Sequence, residues 1–176
     1  AAALGTIDSV RGADAQTRYL LLTLKLGDPV RVARALAREA GFRAITAEPT
    51  SHSYLNMLER AETLANQTGD AEALGTSIAV RAMASFVNGQ MRDSMHRCAE
   101  AERIMHTQCT NLDWEVSNLR VLRFLTGSFL GELKTHAERV ERELLEAEEY
   151  GERYAHTNLV TAIGYVPNLM AVTRLV

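Results

Sequence analysis

Residues 69–105 read "GDAEALGTSIAVRAMASFVNGQMRDSMHRCAEAERIM". A turn signal stands at each end of the first half, at Gly69-Asp70 and at Asn88-Gly89-Gln90, and an apolar periodicity restarts after the second turn. Beyond Gln90 the residues Met91, Ser94, Cys98, Ala101 and Met105 recur at steps of 3 and 4, the spacing of one helix face. The stretch therefore reads as a helical hairpin. Such a hairpin either carries catalytic side chains or forms one unit of a repeat that holds a partner.

The same punctuation divides the rest of the chain. Asp28-Pro29 after Leu26-Gly27, Thr50-Ser51 after Pro49, Asn111-Leu112-Asp113, Leu130-Gly131-Glu132 and Gly151-Glu152 place helix starts near 28, 50, 70, 90, 112, 131 and 152. These starts are 19 to 22 residues apart, and the matching junctions Gly69-Asp70 and Gly151-Glu152 are separated by 151 − 69 = 82 residues, two double segments of 41. Leu55, Leu58, Ala61 and Ala65 form an inward stripe in the third segment, as do Leu133, Ala137, Val140, Leu144 and Ala147 in the seventh. The opposite face of the seventh carries Glu141, Arg142, Glu146 and Glu149. The run "YLLLTLKL" alternates at Leu22, Leu24 and Leu26, but its helical surroundings assign it to a helix.

A helix of about 18 residues is roughly 27 Å long, and a two- or three-residue glycine turn sends the next helix back beside it. Gly75, Ala79 and Ala82, facing Ala99 and Ala101, permit close crossing. The expected fold is all-α: seven or eight antiparallel helices stacked as hairpins in a superhelical array with one concave surface. Residues 1–176 are read as a single helical-repeat domain. Neither end resembles a natural terminus, since no methionine opens the chain and "NLMAVTRLV" stops in mid-pattern, so a longer multidomain parent is expected.

Composition narrows the function classes. With 47% apolar residues the chain can bury a core, and a net charge of −3 offers no basic footprint for nucleic acid. No apolar run approaches a membrane span of about 18 residues, and "AAALGTIDSV" has no leader pattern, so a cytoplasmic location is expected. Cys98 and Cys109 lack metal or redox spacing and read as buried thiols.

The run "ALG" at 73–75, Ala82, the turn "NGQ", and then Ser94, Cys98 and Ala101 resemble a degenerate tetratricopeptide unit. "RGADAQTRYLLLTLKLGDPVRVARALAREA" at 11–40, "CTNLDWE" at 109–115, "GELKTHAERV" and "ERYAHTNL" resemble the helical-repeat region of large bacterial serine/threonine protein kinases. In that family a kinase domain and an ATPase-like signalling module precede the repeats. The resemblance implies a right-handed tetratricopeptide-like superhelix and a role in signal transduction. Kinase activity and ATP binding would belong to the parent, because the segment has no phosphate loop and "RGADAQ" lacks the framework of a kinase catalytic loop. Pro167 is expected to kink or break the last helix.

Catalytic candidates are few. Glu102/His106, Glu132/His136 and Glu152/His156 are i,i+4 pairs, whereas helix-borne di-metal sites use Glu-x-x-His, so surface ion pairs and caps are expected; no metal and no cofactor is implied. No GxSxG elbow is present. Trp114 is assigned to packing between hairpins, with interface anchoring as the alternative. Arg11, Asp14 and Arg18 are expected to pair at the entrance to the first helix. If the helices starting near 28, 70, 112 and 152 form the inner layer, Thr76, Met83, Phe86, Asn118, Leu125 and Ser128 point to the concavity and contact a protein or peptide, or another domain of the parent chain. The competing reading is that Met83, Phe86 and Leu125 fill the seam between hairpins. Peptide or small-ligand sensing is the alternative function, and a helical enzyme the remote one.

Overall fold

The structure, a computed structural model, describes residues 8–46 and 53–173. All regular structure among them is helical: α1 Ser9–Leu26, α2 Pro29–Thr46, α3 Ser53–Thr68, α4 Ala71–Val87, α5 Met91–Gln108, α6 Asp113–Phe129, α7 Leu133–Glu149 and α8 Arg153–Thr173. The starts of α2 and α4–α8 fall within two residues of the turn signals, while the junction at Thr50-Ser51 lies outside the described residues.

The turns show why the spacing is regular. Positive φ occurs at Gly27, Gly69, Gly89, Asn111, Gly131 and Gly151. After four of the glycines the next amide donates five residues back: Asp70 to Ala65 O at 3.0 Å, Gln90 to Ser85 O at 2.8 Å, Glu132 to Gly127 O at 3.0 Å and Glu152 to Ala147 O at 2.8 Å. This is the Schellman closure, and it reverses the chain within two residues. The carboxylate that follows then starts the next helix where its reach suits: Asp28 Oδ1 accepts from Val30 N at 3.0 Å and Asp70 Oδ2 from Ala73 N at 3.0 Å. The longer Gln90 and Glu132 make no such side-chain cap.

Each helix packs beside the next, but contacts between non-neighbours are one-sided. α2 touches α4, α4 touches α6 and α6 touches α8, while no two odd-numbered helices share a comparable contact among the described residues. The expected stripes are inside: Leu58, Ala61 and Ala65 in α3, Ser94, Cys98, Ala101 and Met105 in α5, and Val140 and Ala147 in α7 are buried, with Leu55, Met91 and Leu144 half-buried. Leu133 and Ala137 lie outside the described side chains.

Two features depart from simple patterning. The "YLLLTLKL" segment is helical, yet its leucines Leu21, Leu22, Leu24 and Leu26 are exposed. The face α1 turns inward is Gly12, Gln16, Leu20 and Thr23, with Gln16 Nε2 donating to Ala35 O at 3.0 Å. The last helix continues past Pro167 to Thr173, so the proline expected to kink or break the helix does not break it.

Small residues hold α4 against α5. A Cβ added at Gly75 would lie 3.0 Å from Met105 Cγ, so any larger side chain must push the pair apart. At Gly164, in α8, an added Cβ meets nothing within 4 Å. Urea denaturation should show Gly75→Val destabilised by roughly 2 kcal/mol through overpacking, and Gly164→Ala unchanged or stabilised by about 0.5–1 kcal/mol through helix propensity.

Candidate functional site

The even-numbered helices bring one face of each together. On α4, residues 72, 76, 79, 83 and 86 recur at steps of 4, 3, 4 and 3, and on α6, residues 115, 118, 122, 125 and 129 at steps of 3, 4, 3 and 4. The helix starts form a charged end. Arg34 of α2 donates to both carboxylate oxygens of Asp70, through Nε at 2.8 Å and Nη2 at 2.6 Å, and its Nη1 pairs with Glu72. Arg38 Nη2 reaches Glu72 at 3.0 Å and Glu115 of α6 at 3.5 Å. Three helices are thus tied by alternating charges. The hydrogen bonds from Arg34 hold the Asp70 carboxyl below the usual carboxylate range, although burial opposes them, and the same bonds raise the Arg34 guanidinium.

Aromatic contacts join the same helices elsewhere. Phe86 meets Phe129 edge-on, with ring centroids 5.7 Å apart and planes at 66°. Phe129 keeps 55% of its surface exposed and Val87 keeps 64%, which leaves an accessible apolar patch where α4 and α6 end. Near the start of α6, Trp114 stacks on Tyr154 of α8 at 6.2 Å and 26°. The Tyr154 hydroxyl donates to Asn118 Oδ1 at 3.3 Å, and Asn118 Nδ2 donates to Trp114 O at 2.6 Å. Trp114 therefore does pack between neighbouring even helices.

The six residues expected in the concavity are scattered along this face. Thr76 is buried, and Met83, Phe86, Asn118, Leu125 and Ser128 are half-buried. Phe86 and Asn118 take part in contacts between even helices, through Phe129 and Tyr154. Leu125 packs against the cluster of Phe124, Val140 and Ala162, and Ser128 Oγ donates to Phe124 O at 2.9 Å. None of the six lines either of the two clefts described next.

Sequence reasoning missed a buried charge network joining α5, α6 and α7. Glu102, only 9% exposed, accepts from Arg123 Nη1 at 2.8 Å and from Arg139 Nη2 at 2.9 and 3.0 Å. Arg139 Nε also donates to Glu143 at 2.7 Å. Arg120 Nε lies 3.6 Å from Glu102 Oε1 and 4.0 Å from Glu143 Oε1, beyond hydrogen-bond reach. His156 faces Glu148 at 3.3 Å, not Glu152, and the side chain of His136 lies outside the described residues. The partners of Glu102 are 21 and 37 residues away, so the only available signal was helix register across two turns.

Two clefts flank the network, one of about 140 Å³ between α5, α6 and α8 and one of about 330 Å³ beside α7, and both are lined by His106 and Arg120. Burial pushes the Cys98 thiol up to about 12, which keeps it protonated and unreactive near neutral pH. Among the described residues no three His, Cys, Asp or Glu side chains converge as a metal site would require, and no helix is long and apolar enough to cross a membrane. The arrangement offers charge-paired and aromatic surface. No protein-family profile matches the chain, and no curated protein matches it in sequence.

Asn can cap α4 as Asp70 does but cannot pair with Arg34 as a charge. The lowered pKa of folded Asp70 means that its charge stabilises the fold above the ordinary value of 3.8 and loses that effect as pH falls through the lowered value. Chemical denaturation should find Asp70→Asn less stable than wild type at about pH 6, with the gap closing as pH is taken below 3.8. A gap independent of pH would assign the loss to capping instead.

Proposed function

We propose that the chain is a non-catalytic, tetratricopeptide-like repeat module whose even-numbered helices line the inside of a right-handed superhelix and dock a protein or peptide, or another domain of the same chain. The observation that carries this reading is the one-sided backbone packing: among the described residues α2, α4, α6 and α8 approach one another in succession, whereas the odd helices do not pack backbone to backbone, α5 and α7 meeting through the side-chain pair of Glu102 and Arg139. In a curved two-layer array the inner helices are crowded together and the outer ones splay apart, so the even layer faces inward. Its patch of Phe86, Phe129 and Val87 suits an apolar or aromatic anchor on the partner, and the neighbouring ion pairs suit a polar rim. A setting beside a bacterial serine/threonine kinase and its ATPase-like module, within the cytoplasm, is part of the proposal and rests on the sequence resemblance. Transferring phosphate or binding ATP is not expected of this segment.

Selection of a displayed peptide library on the domain tests the assignment of the face. Phe129→Ala should weaken the selected peptides about tenfold or more while leaving the melting temperature nearly unchanged, because Phe129 is more than half exposed. Leu145→Ala, at a similarly exposed position on the odd-numbered α7, should not affect them. Peptides that ignore Phe129→Ala and are lost with Leu145→Ala would move the interaction to the odd layer and remove the proposal.

A further inference from the structure

Half of the large apolar side chains left exposed among the described residues belong to one helix. α1 carries Val10, Tyr19, Leu21, Leu22, Leu24 and Leu26 at its surface, four of them leucines within six residues, whereas Val87, Phe129, Leu145, Tyr150, Tyr154 and Val160 are spread over four other helices and one turn. Single exposed leucines are ordinary on a protein surface, but a contiguous apolar face marks an interface. α1 packs on α2 and makes no comparable contact with a further helix among the described residues, so its outer face is open. The charges among the leucines have an order of their own. Arg11, Asp14, Arg18, Leu21, Lys25 and Asp28 follow one another at steps of 3, 4, 3, 4 and 3, the spacing of a coiled-coil seam, on the side opposite the buried Gly12, Gln16, Leu20 and Thr23. Reversed end for end, this seam is its own complement: Arg11 falls on Asp28, Asp14 on Lys25 and Arg18 on Leu21. A seam meant for a different partner gains nothing from that symmetry.

We propose that α1 is a self-association surface, through which two copies of the chain pair in antiparallel fashion about a two-fold axis level with the midpoint between residues 19 and 20. Leu21 then lies against the aliphatic stem of Arg18 from the second copy, Asp14 meets Lys25, and Arg11 meets Asp28. Because the contact is isologous, each of these pairs occurs twice, and both ends of the seam are held by opposite charges. On one flank Leu22 comes beside Ala15 of the second copy and on the other Leu24 comes beside Thr17, short side chains that leave room for them. Within one copy the charged groups make exposed pairs across a single turn, Arg11 with Asp8, Arg18 with Asp14 and Arg31 with Asp28, and such surface pairs cost little to exchange. One face of a helix roughly 27 Å long is a small interface, so the dimer is a weak one. α1 belongs to the odd-numbered layer, and the inference does not rest on what the even-numbered face binds.

The test is sedimentation equilibrium of the 176-residue chain. Between about 5 and about 500 µM the mass should rise reversibly from monomer to dimer, with a Kd of about 10–100 µM. Asp14→Lys sets like charges together at both of its contacts with Lys25, and Lys25→Glu does the same at both contacts with Asp14, so each variant alone should raise the Kd about tenfold or more. Both positions are exposed, and circular dichroism should show each variant folded as the wild type is. Mixed in equal amounts, the two variants should form a heterodimer about as tight as the wild-type dimer, because every contact between positions 14 and 25 then joins opposite charges. A wild-type chain that stays monomeric throughout the range would leave the leucine face to a helix of another protein and overturn the proposal. A dimer that both single variants form as readily as wild type, or that mixing them does not restore, would place the contact on another surface and overturn it as well.

Discussion

A left-handed residue just after six of the helices is the constraint from which the rest of this structure follows. Positions 27, 69, 111 and 151 carry positive φ, as do 89 and 131, with intervals of 42, 42 and 40 residues in the first set and 42 in the second. At each of the five glycines the backbone enters a region that other residues visit at a cost, and the helix closes on its own carbonyls. The chain then has two residues or so in which to begin again. A helix that must start so close to the end of its predecessor can only run back beside it, and the hairpin is settled before any side chain packs. Asn111, whose short polar side chain tolerates the same conformation, keeps the interval where glycine is missing.

Hairpins alone do not form an array, and what joins them here is an interior of unusually small side chains supplemented by charge. Ala33, Ala35, Ala37, Ala40, Ala61, Ala65, Ala73, Ala82 and Ala101 are all essentially inaccessible, and Gly75 rests on Met105. Such a core brings backbones close but gives up much of the apolar area that larger side chains would bury. Arginine–carboxylate pairs take over part of the job of alignment. Arg34 and Arg38 bind α2 to α4 and α6, and Arg123 and Arg139 converge on Glu102 between α5, α6 and α7. Desolvation offsets most of the Coulomb attraction of a buried pair, so these contacts add little net stability. Their effect is on register. Sliding α7 by one turn would take Arg139 away from Glu102 and leave that carboxylate to Arg123 alone, at a cost of up to about 3–5 kcal/mol for a broken buried pair.

The even-numbered and odd-numbered helices make different contacts. The even helices touch one another and so carry the continuous surface, with its ion pairs at the helix starts and its phenylalanine pair where α4 and α6 end. The odd helices support that surface from behind, and between them and the even helices lie the two clefts that share Arg120 and His106. Trp114, Asn118 and Tyr154 form one connected contact between α6 and α8.

Helix boundaries and inward stripes were legible in the sequence because they depend on interactions within about four residues. Gly-Asp turns, capping carboxylates and the 3–4 spacing of Ser94, Cys98, Ala101 and Met105 are all local, and all are where the pattern put them. Tertiary structure decided the rest. Leu22, Leu24 and Leu26, whose alternation suited a strand, lie exposed on a helix, since which face of α1 turns inward depends on α2, which offers the Ala35 carbonyl to Gln16. Glu102 looked like the i,i+4 partner of His106 and is instead the centre of a buried network whose arginines come from other helices. A helix propagates its own geometry through neighbouring residues, but the faces it shares with other helices are chosen by contacts tens of residues away, and no local period encodes those.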